Sequence, residues 1–509
     1  MSRRKHQIEA FFRQGTQLHA AGRLAEAEQV YRQLLAAVPS HADSQHMLGM
    51  LALQANQPGI ALEWIDRAIA ARPANAIYQV NRASALLAIG ETAAAEAACR
   101  EALKLKRNCA EACQVLGHAL SDLGRPAEAI AAYRDAMQYN AALPDLAGHL
   151  GLALRQAGRQ EEAAAALRQA MARAPRDVQA LGNLAGVLKE LAHLDEAESL
   201  YRDALCRQPD DPAQHYNLSL VLLLAGRFAE GWREYEWRFR AGAARVPDCA
   251  QPRWEGEPFA GRTLLVRSEQ GLGNAIQFCR YATLVTGGRV ILEVHRPLCR
   301  LVGSLRGIER VVPIGDPPPP FDLYVPLLSL PRLLGEAATP VPYLAAEPEL
   351  VAAWRDRLGS HGFRIGVAWQ GNPASLAEHG RSYPLAHLRP LAERPGVRLI
   401  SLQKHNGMEQ LAAAGFAIET PELDTGPDGF VDTAAVMQSL NLIVTSDTSV
   451  AHLAGAMGRP VWVALQHVPD WRWLLAGEDC RWYPTMRLFR QTTRGDWGGV
   501  FALMAEQLA

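Results

Sequence analysis

Residues 441–463, NLIVTSDTSVAHLAGAMGRPVWV, read as a strand, a polar turn, a helix and a second strand. The apolar run 442–445 is the first strand, and 461–465 the second. Ser446, Asp447 and Thr448 stand where the first strand hands over to a helix predicted from about Thr448 to Met457. Asp447 or Thr448 is placed to cap its free N–H groups. Gly458 ends the helix and Pro460 keeps it ended. Such a unit aims a helix N-terminus, carrying about half a positive charge, beyond the carboxyl end of the strand. Anions, phosphates above all, bind there.

The chain has 509 residues, too many for one core, so two to four domains are expected. Its 49% hydrophobic and 21% charged residues place it among globular proteins, and the net charge of −1 gives no electrostatic reason to expect nucleic acid as a partner. No run approaches the ~18 apolar residues of a membrane span, and the basic start MSRRKHQIEAFFRQG lacks the apolar core of a secretory signal. The eight scattered cysteines, with no CxxC pair, read as reduced thiols in a cytoplasmic protein.

Residues 8–240 repeat with a period of 34. Gly15, Gly49, Gly117 and Gly151 share one register; Gly22, Gly90, Gly124, Gly158 and Gly226 share a second. Ala27, Ala61, Ala95, Ala129, Ala163 and Ala197 keep a third, followed four later by Tyr31, Ile65, Tyr133, Leu167, Tyr201 and, in the last unit, Tyr235. Prolines 39, 73, 175 and 209 close four units. This is the tetratricopeptide pattern of paired antiparallel helices, and six repeats with a seventh from near Pro212 suffice for a superhelical α-solenoid. Its groove would hold a peptide or partner protein, with Asn183 and Asn217, 34 apart, as groove amides; a spacer or dimerisation arm is the other reading. The aromatic end GWREYEWRFRAG is expected to pack on the next domain, followed by an extended connection over 241–260.

From residue 261 short β-like runs alternate with helices: 263–267, 289–294, 311–314 and 322–326, then 364–369, 397–402, 442–445 and 461–465. This predicts two α/β domains with parallel sheets, over 261–345 and 346–509, with a ligand cleft between them. The last amphipathic helix, 497–508, is expected to cross back over the first of them. Polar loops follow the strands. In SEQGLGNAIQFCRY, Gly271 and Gly273 permit close backbone approach before a helix starting near Asn274. The second domain offers Gln370, Asn372, His379, Arg381 and Ser382, then Gln403, Lys404 and Glu409, then SDTSVAH. Arg381 and Lys404 have the charge to neutralise a diphosphate, and the Thr448 and Ser449 hydroxyls can bind its oxygens. His452 shares the helix face of Thr448.

The motifs EQGLGNAIQFCRY, GVAWQGNP…RSYPL, ISLQK, SDTSVAHLAGAMGRPVWV and PDWRWLL…WYPTMRLFRQ…GDW resemble those of GT-B glycosyltransferases of the heptosyltransferase-like family 9 type. With the array in front, the order resembles that of tetratricopeptide O-linked N-acetylglucosamine transferases. The resemblance implies a pair of Rossmann-like domains, acceptor side over 261–345 and nucleotide-sugar side over 346–509. It implies an inverting, metal-independent transferase with no cofactor beyond the nucleoside-diphosphate sugar itself. Gln370, Asn372, Arg381, Gln403, Lys404, Asp447, Thr448, Ser449 and His452 would line the donor site. Trp471 and Trp473 would shape a pocket or pack in the core.

Proteins of this kind commonly carry aspartate, the favoured general base, where this chain has Asn274. An amide accepts no proton at neutral pH, so Glu269 in the same loop, or His452, would have to replace it. The alternative is a transferase-like scaffold that binds nucleotide sugars and partner proteins without turnover.

Overall fold

The computed structural model describes residues 3–245, 249–335, 340–374 and 380–508, and the chain divides into two compact units, Met1–Leu191 and Ala192–Ala509. In the first, α1 (Arg3–Ala20) pairs with α2 (Leu24–Ala37), α3 (Ala42–Gln54) with α4 (Pro58–Ala71) and α5 (Ala76–Ala88) with α6 (Thr92–Leu105). Then α7 (Ala110–Asp122) pairs with α8 (Pro126–Tyr139) and α9 (Leu146–Gln156) with α10 (Gln160–Arg173), and α11 (Val178–Glu190) follows.

Both glycine registers have a physical cause. A Cβ at Gly15, Gly49 or Gly151 would stand 2.6 Å from Tyr31, Ile65 or Leu167, and one at Gly117 2.5 Å from Tyr133. The small residue therefore lets paired helices close on the large side chain sixteen positions later. Gly22, Gly90, Gly124 and Gly158 turn between helices at φ of 73°, 81°, 69° and 75°, a region costly for other residues.

The second unit opens with α12 (Leu194–Arg207), α13 (Pro212–Leu224) and α14 (Phe228–Tyr235). Here Trp232 packs edge-on against Phe278 and Trp471, at 5.6 and 5.2 Å, so the join is stiff. Trp237 instead stacks on His215 at 4.0 Å, back on the repeat. The segment before the first sheet is tied to it: Trp254 N donates to Tyr324 O (2.8 Å) and Tyr324 N to Pro252 O (3.2 Å).

Two all-parallel sheets follow. The first holds β1 (Thr263–Arg267), β2 (Arg289–Val294), β3 (Arg310–Pro313) and β4 (Leu323–Pro326) in the order β3-β2-β1-β4. The second holds β5 (Phe363–Ala368), β6 (Val397–Ser401), β7 (Leu442–Ser446), β8 (Val461–Leu465) and β9 (Met486–Arg490) in the order β6-β5-β7-β8-β9. Their helices are α15 (Leu272–Ala282), α16 (Cys299–Val302), α17 (Leu330–Leu334), α18 (Pro348–Leu358), α19 (Arg389–Ala392), α20 (Val431–Gln438), α21 (Ser449–Ala456) and α22 (Trp497–Gln507). Contrary to the expected crossing, α22 lies on its own sheet. Its Phe501 and Met504 are fully buried in a cluster with Ile365, Val444 and Tyr383, which gives that apolar face no reason to leave. Among the described residues no helix is long and apolar enough to cross a membrane.

Candidate functional site

In both sheets the strand order reverses at the first strand, β1 or β5, and open α/β sheets take ligands beyond the carboxyl ends at such points. The helices after β1 and β7, α15 and α21, meet there. A Cβ at Gly273, in the first turn of α15, would stand 3.0 Å from His452 Cδ2 and 3.7 Å from Ser449 Cα, in the first half of α21. Gly273 thus brings two helix N-termini together, and their partial positive charges add. No side chain caps either end. The expected cap on α21 is absent for a local reason: Thr448 Oγ1 lies 3.3 Å from Thr445 Oγ1, and Asp447 turns to Arg381. Thr448 and Ser449 remain half-buried at the mouth of the uncapped turn.

Charged groups surround this point. Buried Asp447 accepts from Arg381 Nε and Nη2 at 2.9 and 2.8 Å. Arg472, also buried, donates Nη1 to Asp470 (2.7 Å), Nε to Gln277 (2.7 Å) and Nη2 to Asn274 Oδ1 (2.5 Å). Burial would raise the Asp470 carboxyl, but Arg472 and Arg381 hold it below its ordinary range. Burial, reinforced by Arg472 and Arg381, drives the His452 pKa well below 6.5, so the ring is neutral at physiological pH. His452 Nδ1 lies 3.1 Å from Tyr483 OH, which lies 3.4 Å from Tyr343 OH, which donates to Ile276 O at 3.0 Å. Run in one direction, each hydroxyl donates onward to that carbonyl, Nδ1 carries the ring proton, and Nε2 keeps a lone pair on the Gly273 side.

The other expected site residues divide. Asn274 is here, with both ends of its amide engaged: Oδ1 by Arg472 and Nδ2 on Gln270 Oε1 at 2.7 Å. Glu269 Oε1 is held by Arg238 Nη2 (2.7 Å) and Leu328 N (3.2 Å), and burial pushes its carboxyl up against the pull of Arg238. Arg381 and Lys404, expected side by side, have different carboxylates: Lys404 Nζ bonds Asp424 at 2.6 Å and sits 4.5 Å over the Phe430 ring. Gln403 is a clamp between loops, accepting from Trp369 N and Gln370 N and donating to Gln370 O and Asn406 O. Gln370 Oε1 takes Gln410 Nε2, while exposed Asn372 closes its own turn onto Ala374 N. Trp473 stacks on His452 at 5.4 Å and Trp471 is buried among Phe228, Trp232 and Trp482, so both are core. Gly271 is the exposed N-cap of α15. His379 lies outside the described residues.

Asn183, in the first unit, accepts from Gln179 Nε2 at 3.0 Å and lines a cavity of about 250 Å³ with His149 and Asp145; Asn217 belongs to α13 in the second unit. Reading the sequence missed Arg472 and its partners, because the bond to Asn274 spans 198 positions and nothing periodic marks it. The only local sign was an arginine between two tryptophans.

Tetratricopeptide-repeat families match residues 46–110, 110–143 and 154–219, so the repeats form a tetratricopeptide array, a scaffold for protein contacts. Protein FlbA of Caulobacter vibrioides is 28% identical over 325 residues, 57% of this chain and 54% of the relative; the chain spans about half the length of that protein. Among solved structures, the Cut9–Hcn1 hetero-tetramer is similar at 14% identity and TM-score 0.40, over 42% of each chain. PilF of Pseudomonas aeruginosa is similar at 19% and 0.39, over 42% of this chain and 97% of that one. YrrB, a tetratricopeptide protein, is similar at 22% and 0.31, over 35% and 91%.

Proposed function

We propose that this chain is an inverting glycosyltransferase, moving a sugar from a nucleoside diphosphate to an acceptor presented by the repeat array. The observation that supports it most is the meeting of two uncapped helix N-termini at Gly273, Ser449 and His452. The diphosphate would sit on those N–H groups with the Thr448 and Ser449 hydroxyls, and Arg381 and Arg472 would stabilise its charge as it leaves. In this reading His452, beside Gly273 where the two helix ends meet, is the proton acceptor. The acceptor oxygen attacks the anomeric carbon, the bond from that carbon to the β-phosphate oxygen breaks, and the hydroxyl proton passes to Nε2.

The test is release of nucleoside diphosphate from UDP-, GDP- and ADP-sugars by the full chain. His452→Asn should lower the rate by about 10²–10⁴. An unchanged rate would remove His452 from the chemistry. The second reading, binding without transfer, draws on the two hydrogen bonds that hold Asn274. It predicts nucleotide binding with no release from any of these donors.

A further inference from the structure

We infer that the last tetratricopeptide repeat is a working part of the anion site, with Tyr235 and Arg238 as positioning residues for the loop between β1 and α15. The ligand named in the test rests on the function proposed above; the positioning does not.

Arg238 follows α14 and its side chain is 0% exposed. It donates to Glu269 Oε1 (2.7 Å) and Ser329 Oγ (2.8 Å) from Nη2, and to Glu236 Oε1 (2.9 Å) and Tyr235 O (3.1 Å) from Nη1. A buried guanidinium is held only where its partners are fixed, so Glu269 is fixed as firmly as the repeat. The next residue, Gln270, has φ of 63°, a left-handed conformation that a side chain this long adopts only when surroundings impose it. Two hydrogen bonds of its side chain impose it. Gln270 Nε2 donates to Tyr235 OH (3.0 Å), and its Oε1 accepts from Asn274 Nδ2 (2.7 Å). Tyr235 is itself buried, edge-on to Trp232 at 5.4 Å.

A continuous line therefore runs from Tyr235 through Gln270 and Asn274 to Arg472. The left-handed Gln270 is where the chain leaves β1 and turns into α15, so the repeat sets where Gly273 meets His452. Asn274 acquires a purpose that a base would not serve: as an amide it donates to Gln270 and accepts from Arg472 at once, which a carboxylate cannot do.

Tyr235→Phe removes the hydroxyl and keeps the packing; Arg238→Gln removes the charge. Both are made in the full chain and followed by deuterium exchange of residues 268–276 and by titration with UDP, GDP and ADP. Tyr235→Phe should speed exchange over 270–275 by ~10-fold and weaken nucleotide affinity by ~5-fold, the worth of about one hydrogen bond. Exchange in β2 and β6 should stay at the wild-type rate. Arg238→Gln should do the same more strongly, and if it fails to fold Tyr235→Phe decides. Wild-type exchange over 270–275 would overturn the inference. So would faster exchange with an unchanged nucleotide affinity, which leaves only a structural role. If the wild type binds none of the three nucleotides, the proposed function falls, while exchange over 270–275 still decides the positioning.

Discussion

In the repeat array Ala27, Tyr31, Leu48 and Leu51 form one buried cluster and Ala52, Ala61, Ile65 and Ala85 another, each drawn from neighbouring helices. In residues 192–509 a single cluster reaches from Leu223 to Leu488 and joins the last repeat to both sheets. Buried polar groups differ as well. Both units hold neutral histidines, His46 and His118 in the array and His452 in the second unit, but only the second unit adds charges paired in its interior: Arg238 with Glu269, Arg381 with Asp447, Arg472 with Asp470. A stack of local clusters tolerates damage repeat by repeat, whereas a cluster that ties the last repeat to both sheets, with buried ion pairs beside it, does not.

That contrast can be broken at specific positions. The largest effect is expected for Arg238→Leu, which strands Glu269 and should take about 3–5 kcal/mol from the second unit. Ten of the eleven tryptophans lie in that unit, Trp64 being the exception, so tryptophan fluorescence in urea should show its transition moving while the helical circular dichroism of the array stays. An equal shift of both signals would mean that the units unfold as one.

Acid should act on the array through its histidines. Burial lowers His46 and His118 to about 4 each, from 6.5. The folded state then binds their protons later than the unfolded chain does. The stability they contribute is present above about pH 6.5 and lost as pH falls toward about 4, on the order of 3 kcal/mol for each. Urea midpoints by circular dichroism at pH 7 and 4.5 measure this, and His118→Leu should lessen the difference.

Smaller effects follow from added methyls. Gly117→Ala meets Tyr133 at 2.5 Å and Gly455→Ala meets Tyr483 at 2.4 Å, so each should destabilise by about 1–3 kcal/mol. The first should raise amide exchange in α7 and α8 alone, the second throughout the sheets of the second unit. The least gain is expected of Asn274→Asp, whose carboxylate would still accept from Arg472 but would lose the hydrogen bond donated to Gln270. Sugar release should rise no more than about threefold, well short of the gain from a positioned base. A gain of orders of magnitude would favour the non-transferring scaffold as the natural state.

What could be read from the sequence follows the same division. The array was legible because each constraint recurs: the glycine facing Tyr31 recurs at Ile65, Tyr133 and Leu167, and repetition separates signal from chance. Strands β1, β2 and β8 fall where the apolar runs place them. Strand β9, MRLFR, was missed because it is a short edge strand whose Arg487 and Arg490 turn out to Glu478 and to the carbonyls of Trp473 and Leu474. The site was half legible. Ser449, His452 and Gly273 come from local strand–turn–helix units, which sequence spacing reveals. Arg472 on Asn274, Arg238 on Glu269 and Lys404 on Asp424 are set by packing between distant segments, which spacing does not record.

The proposed activity requires an anion held where α15 meets α21. Calorimetric titration of the full chain with UDP, GDP and ADP tests it, beside a Thr448→Val, Ser449→Ala double variant that leaves the buried ion pairs intact. The expected result is saturable binding of at least one nucleotide, weakened ~10–100-fold in the variant by loss of charge-assisted hydrogen bonds. Binding of none, or equal binding by both proteins, would contradict it.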